Sequence, residues 1–306
     1  MTVITINAIF TNPAVISTLG VIIVTSLTLL TKTYLDKRYI LIKLNAEHIF
    51  EQRKEIKKTI SGRKVHLLTA CDDLRHRLNN FWEKGRPEWI DDAKGQYTEE
   101  TYYLHSFTYR LLCIFAWINI LNKDLTFLDT TISTKEDLQL IKYLVFFPQI
   151  FTDLALIDGP NADGSVPENH FLKTQFEVLP NSICKDNGIK SYAEFLADVK
   201  SGEIDVKKLF KFFEGTSKIQ NGYEGNQKKK RGRLYLMQIT VIAFLNNYGY
   251  DFMQTDPGSI EKILLNEEGS IYLDRYFNLL KDAKLYETSQ FVQIRKLAEK
   301  HGLINC

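Results

Sequence analysis

The chain has 306 residues, 44% of them hydrophobic and 25% charged, with a formal net charge of +2 at pH 7. That length is enough for one large or two small domains with a real core, which excludes a miniature fold that would need staples. Four widely spaced cysteines, Cys71, Cys113, Cys184 and Cys306, with no C-x-x-C pair, fit a reducing compartment better than a disulfide scaffold.

The chain opens on a run from Met1 to Thr31 without a single charged side chain. Asn12 is placed to cap a helix that begins at Pro13, where a missing N–H costs no hydrogen bond. Residues 13–31 are just long enough to cross a hydrocarbon core of ~30 Å at 1.5 Å per residue. A signal peptide would carry a basic n-region and a small-residue cleavage site, and neither is present. A buried core helix would usually carry a polar stripe, whereas Ser17, Thr18, Thr25, Ser26, Thr28 and Thr31 offer only hydroxyls, which can bond back to their own helix. A transmembrane helix is therefore expected. Its C-terminal flank holds Lys32, Lys37, Arg38 and Lys43, which puts the short N-terminus outside and the bulk of the chain in the cytoplasm.

Residues 32–64 hold ten Lys and Arg against four acidic residues, a net of +6, so the remainder carries −4. Such a collar attracts anionic phospholipid headgroups at ~1 kcal/mol per charge close to the surface, and Lys32, Lys37, Arg38 and Lys43 are the residues near enough. Tyr34, Leu35, Tyr39, Ile42, Ile49, Phe50 and Ile56 recur at helical spacing and predict a stalk able to pair with another helix. Ser61-Gly62 is expected to interrupt it. A second helix then follows, ended by Gly85-Arg86-Pro87, so that residues 32–87 form a basic helical hairpin.

A polar connector leads to a helix opened by Thr98-Glu99-Glu100 and containing the apolar run 111–121. A further helix, opened by Lys135-Glu136-Asp137, contains the run 138–157. Both are expected as buried core helices: the first run is too short to span, and the second contains Lys142, Pro148 and Asp153. Residues 158–175 read as a long connector and a break between subdomains. Their Asn161-Ala162-Asp163-Gly164 fails as a calcium loop, because the first and twelfth positions would be Gly159 and His170. Ser191 and Glu194 form a capping box. Residues 205–213, 234–248, 259–267, 270–284 and 288–301 complete an all-helical body in which no sheet is expected.

The sharpest chemical feature is the basic run Lys228, Lys229, Lys230, Arg231 and Arg233, expected in a flexible loop after Gly222, Tyr223 and Gly225. It could neutralise the phosphates of nucleic acid, a nucleotide or lipid, although a solvated charge run reads the same way. It lacks Walker A spacing. Cys71, Asp72 and Asp73 with His66 and His76 do not make a metal set, since the two histidines lie ~15 Å apart along a helix. Asp72 and Asp73 are expected to pair with Arg75, His76 and Arg77. Tyr97, Tyr102, Tyr103, Phe107 and Tyr109 share one helix and are read as core before binding surface. No nucleophile motif occurs, and no cofactor is expected.

The expected protein is mostly α: a single N-terminal transmembrane helix, a helical stalk and a soluble, bundle-like all-α domain. Its segments are a short extracytoplasmic N-terminus (1–12), the span (13–31), the basic stalk (32–87) and a cytoplasmic domain (88–306) with a break at 158–175. The site is the inner (plasma) membrane. The expected function is interaction and signalling, in one version a bacterial stress or defence effector that acts at the membrane through a protein partner or through homo-oligomerisation. The alternatives are a membrane-tethered binder of nucleic acid, nucleotide or anionic lipid using residues 228–233, and a membrane-associated enzyme whose site is not visible in the sequence.

Overall fold

A computed structural model describes residues 13–83, 102–162, 164, 167, 169–186, 188–214, 216 and 224–304. These hold twelve α-helices: α1 (Pro13–Glu83), α2 (Tyr102–Leu125), α3 (Lys135–Thr152), α4 (Ala155–Asp158), α5 (Lys173–Asn181), α6 (Tyr192–Ser201), α7 (Lys207–Glu214), α8 (Glu224–Tyr248), α9 (Pro257–Leu264), α10 (Glu267–Ser270), α11 (Leu273–Asp282) and α12 (Ser289–Lys300). The expected helix stop at Gly85-Arg86-Pro87, the opening at Thr98-Glu99-Glu100, Tyr97 and the Gly222-Tyr223 tip lie outside the described residues. The chain divides into two units, residues 1–55 and 56–306.

Within the first unit the described residues are helical and almost all exposed. The hydroxyls satisfy themselves as expected. Thr18 donates to the Ala14 carbonyl (2.6 Å), Thr25 to Val21 (2.6 Å), Thr28 to Val24 (2.7 Å) and Thr31 to Leu27 (2.8 Å). Each bond folds a polar group back onto the backbone and leaves the helix surface apolar. Beyond residue 31 the exposed side chains alternate between charged residues and large apolar ones, including Tyr34, Leu35, Tyr39, Ile42 and Phe50.

The hairpin expected at Ser61-Gly62 is not formed, because α1 runs unbroken from Pro13 to Glu83. One Gly costs only ~1 kcal/mol in a helix interior, and the apolar face on either side keeps its phase. Ile56, Ile60, Leu67, Cys71, Leu74, Leu78 and Phe81 are all buried, at spacings of three, four or (from Ile60 to Leu67) seven residues. A Cβ on Gly62 would meet nothing within 4 Å. Gly62→Ala is therefore expected to stabilise the protein by roughly 0.8 kcal/mol, seen as a rise of about 2 °C in melting temperature. A loss of stability would mean that this turn of helix is not held as described.

The second unit is built around two helices. In α8, residues 233–245 are buried on every side, and the helix packs against α3, α4, α10 and α12. A helix apolar all round has no solvent face and must be central. α2 has the same character. Its apolar window has a mean hydropathy of 1.3 and is 78% buried, closed by α3, α5, α6, α7 and a two-residue hairpin. That hairpin pairs Cys184–Lys185 antiparallel with Gly188–Ile189, a minimal sheet where none was expected.

Aromatic side chains fill the space between helices: Phe151 meets Phe171, Phe176 and Phe212, while Tyr143 meets Phe244, Tyr248 and Phe291. Helix α3 carries Pro148 internally and ends at Thr152, so the run expected over 138–157 becomes two helices. Residues 158–175 lie within the compact 56–306 unit. Ser191 and Glu194 cap α6 reciprocally as expected, and the Lys185 ammonium and Ser191 donors hold the Glu194 carboxyl down at about 2. Cys71, Cys113 and Cys184 are free thiols. Burial pushes the Cys113 thiol up to about 12 and raises Cys71 and Cys184 as well.

Candidate functional site

The basic run does not lie in a loop. Residues 228–233 form part of α8, whose first turns carry them into the body. Arg233 has no exposed surface. Its guanidinium donates through Nε to the Asn169 carbonyl (2.7 Å), through Nη1 to Ile150 (2.5 Å) and through Nη2 to Asp153 (3.0 Å). Ile150 lies in the last turn of α3 and Asp153 is its C-cap, so the cation satisfies carbonyls that a helix end leaves without partners. Desolvation lowers the Arg233 pKa to about 10, which keeps it charged at neutral pH.

Lys230 does the same for another helix end. It is buried and donates to the carbonyl of Lys211 in the last turn of α7 (3.1 Å). Lys229 pairs with Asp158 at the end of α4 (2.6 Å). Arg231 pairs with Glu268 (2.5 Å) and lies over the ring of Trp82, 5.2 Å from its centroid. Only Lys228 of the five is exposed. The cluster is a set of helix-end caps and ion pairs. It is not an open phosphate cradle.

The cations that follow residue 31 have a different setting. Lys32, Lys37, Arg38 and Lys43 are all exposed. Arg38 sits 5.9 Å from the centroid of the Tyr34 ring, and Lys43 reaches Glu47 at 3.9 Å. Among the other expected pairs, Asp72 holds Arg75 (2.6 Å) and His76 (3.6 Å). Arg77 instead donates to the Ser106 hydroxyl (2.7 Å) and lies over the Tyr103 ring. His66 stacks on Trp117, with ring centroids 4.5 Å apart. Tyr103 and Phe107 are core residues, whereas Tyr102 and Tyr109 line a recess of about 180 Å³ together with Tyr192. Among the described residues no group of three His, Cys, Asp or Glu is arranged to hold a metal ion.

A larger cleft, of about 400 Å³, opens in the second unit between the last turns of its first helix, α8, α9 and the turn before α10. Sequence reading missed it because Asn79, Gln238 and Asn266 come from three distant segments. Gln238 is buried on α8 and donates through Nε2 to Oδ1 of Asn79 (2.8 Å). Its own Oε1 is buried with no partner, and so is the indole Nε1 of Trp82, one turn beyond Asn79. An orphaned buried group costs roughly 1–3 kcal/mol.

One wall of the cleft is held by hydrogen bonds. Thr255 and Asn246 exchange two hydrogen bonds, from Thr255 N (2.7 Å) and from Asn246 Nδ2 (3.0 Å). Asp256 caps α9 through the Ser259 N–H (3.0 Å). The charged residues lining the cleft are Arg75, which is tied to Asp72, Asp256 and Lys262. Comparison of the chain with protein family models, with curated proteins and with solved structures finds no match.

Proposed function

We propose that this chain is a single-pass membrane protein in which residues 13–31 span the bilayer and the helical body works in the cytoplasm through binding and signalling. One observation carries the reading. The apolar window in the first helix has a mean hydropathy of 2.1 and none of it is buried, whereas the comparable window of α2 is 78% buried. An apolar helix with no protein around it needs another apolar environment, and its length suits a bilayer. The exposed cations at 32, 37, 38 and 43 support an inner-leaflet placement and contact with anionic headgroups. The large helical body, with polar clefts on its surface, supports an adaptor or effector that responds to a partner. Its response would be a change of assembly, through a protein partner or a second copy.

The test is fractionation of cells that express the full chain or a truncated chain beginning at Lys32. The full chain should sediment with membranes, resist high salt and alkaline wash, and dissolve in detergent. The truncated chain should be soluble with its helical circular dichroism retained, and it should lose the biological activity. A full chain found in the soluble fraction, or a truncated chain that keeps the activity, overturns the reading.

The phosphate-binding alternative for residues 228–233 is left with Lys228 as its one exposed member. A chain that anchors itself by residues 13–31 draws its lipid contacts from residues 32–43 instead.

A further inference from the structure

Within the first unit, Leu35, Tyr39, Ile42, Ala46 and Ile49 follow one another at alternating steps of four and three residues. On a helix that spacing draws one narrow stripe, the seam of a coiled coil rather than the wider face laid on a globular core. Leu35, Tyr39 and Ile42 are exposed by 62%, 67% and 65%, Ala46 is exposed and Ile49 is half-exposed. The seam is bare. The repeat would next reach Arg53, which ends it.

The seam's length points to its occupant. Five residues, roughly 21 Å of helix, are far fewer than the ~20–30 a side of a stable free interface. So short a seam closes only on a helix already held beside it, parallel and in step. Residues 13–31, anchored in a bilayer, hold every copy of the chain in that way and raise the effective concentration of one stalk at another. The flanking charges permit the pairing. Arg38 is drawn toward its own Tyr34 ring, 5.9 Å from the centroid, and Lys43 reaches its own Glu47 at 3.9 Å, so both are engaged along their own helix. We infer that residues 35–49 pack through this seam against the same residues of a second copy, in parallel. The inference rests on the membrane reading of residues 13–31.

The experiment is disulfide trapping in membranes from cells that express the full chain, with single cysteines placed on and off the seam. A disulfide forms only where two Cα atoms come within about 7 Å. Ile42→Cys and Ile49→Cys, on the seam, should give a band at twice the chain's mass under mild oxidation. Leu41→Cys and Leu44→Cys sit at apolar positions that are likewise exposed but lie on other faces of the helix. They should give at least about fivefold less of that band, close to the level of the unsubstituted chain.

Ile42→Asp in the Ile49→Cys chain should lower the trapped yield at least about threefold, because a carboxylate closed into the seam has no partner there. Position 42 is exposed in the single chain, so the helix should survive the change, as circular dichroism would show. Four outcomes overturn the inference and leave the membrane reading standing: trapping at 41 and 44 as strong as at 42 and 49; no trapping in a chain that sediments with membranes; seam cysteines caught on a protein of another mass; an unchanged yield with Ile42→Asp. A chain that does not sediment with membranes overturns the membrane reading, and the inference with it.

Discussion

Arg233→Ala is expected to cost about 4 kcal/mol of stability, more than any other change within the basic run. The side chain has no exposed surface, and its three kinds of N–H each serve a different backbone carbonyl, those of Asn169, Ile150 and Asp153. Truncation would leave three buried acceptors unsatisfied and open a cavity in one step, and each orphan alone is worth roughly 1–3 kcal/mol. Not all of that is lost, since the unfolded state recovers the hydration of a buried cation. Arg233→Lys should rescue little, because one ammonium cannot reach three carbonyls held in a guanidinium's fork. Lys228→Ala should be neutral within ~0.5 kcal/mol, as befits an exposed residue away from such features. Chemical denaturation of the full chain in detergent measures all three. A loss below ~1 kcal/mol in Arg233→Ala would mean that the guanidinium is not the cap of α3.

Gly269→Ala should be nearly as damaging, by about 3 kcal/mol, though it adds only a methyl group. A Cβ at Gly269 would fall well inside 3.0 Å of three ring carbons of Tyr235. That ring has no exposed surface, and its hydroxyl donates to the Leu264 carbonyl (3.1 Å), so it cannot swing aside without leaving an orphaned oxygen. Overpacking typically costs 1–3 kcal/mol, and a pinned neighbour puts this case at the upper end. In a body of this size the melting temperature should fall by roughly 6–12 °C. A fall under ~2 °C would show that α10 shifts freely off α8. The comparison with Gly62→Ala is direct: the same substitution raises stability where the helix surface is open and lowers it where a tyrosine lies on the backbone.

Glycine chemistry also explains where the sequence misleads. Gly232 follows four cations and reads as part of a loop, yet it lies buried inside α8 because the Tyr272 ring occupies the space its Cβ would need. A glycine that makes room for a neighbour and a glycine that turns the chain look alike until the neighbour is known. Ser61-Gly62 misleads for a different reason: Gly62 has open space around it and is simply tolerated inside the helix.

The helices themselves were legible, since apolar spacing and caps such as Ser191 with Glu194 depend only on nearby residues. The burial of residues 111–121 was legible from the shortness of the run. What could not be read was the destination of Lys229, Lys230 and Arg233. Their partners are the ends of helices many residues away, and a charge run carries no mark of the carbonyls it will meet. The cleft at Asn79, Trp82 and Gln238 was hidden by the same long-range assembly.

The protonated thiols of the body have a practical consequence. Cys71 faces the core from the first helix and Cys113 from α2, both buried and both held far from the thiolate form that reacts with alkylating reagents. Each can be modified only while its helix is open to solvent, so the two sites act as clocks set into different walls of one core. If they are alkylated at one shared rate, the body opens as a cooperative whole. If Cys71 ages faster than Cys113, the first helix detaches while the rest of the core stays closed.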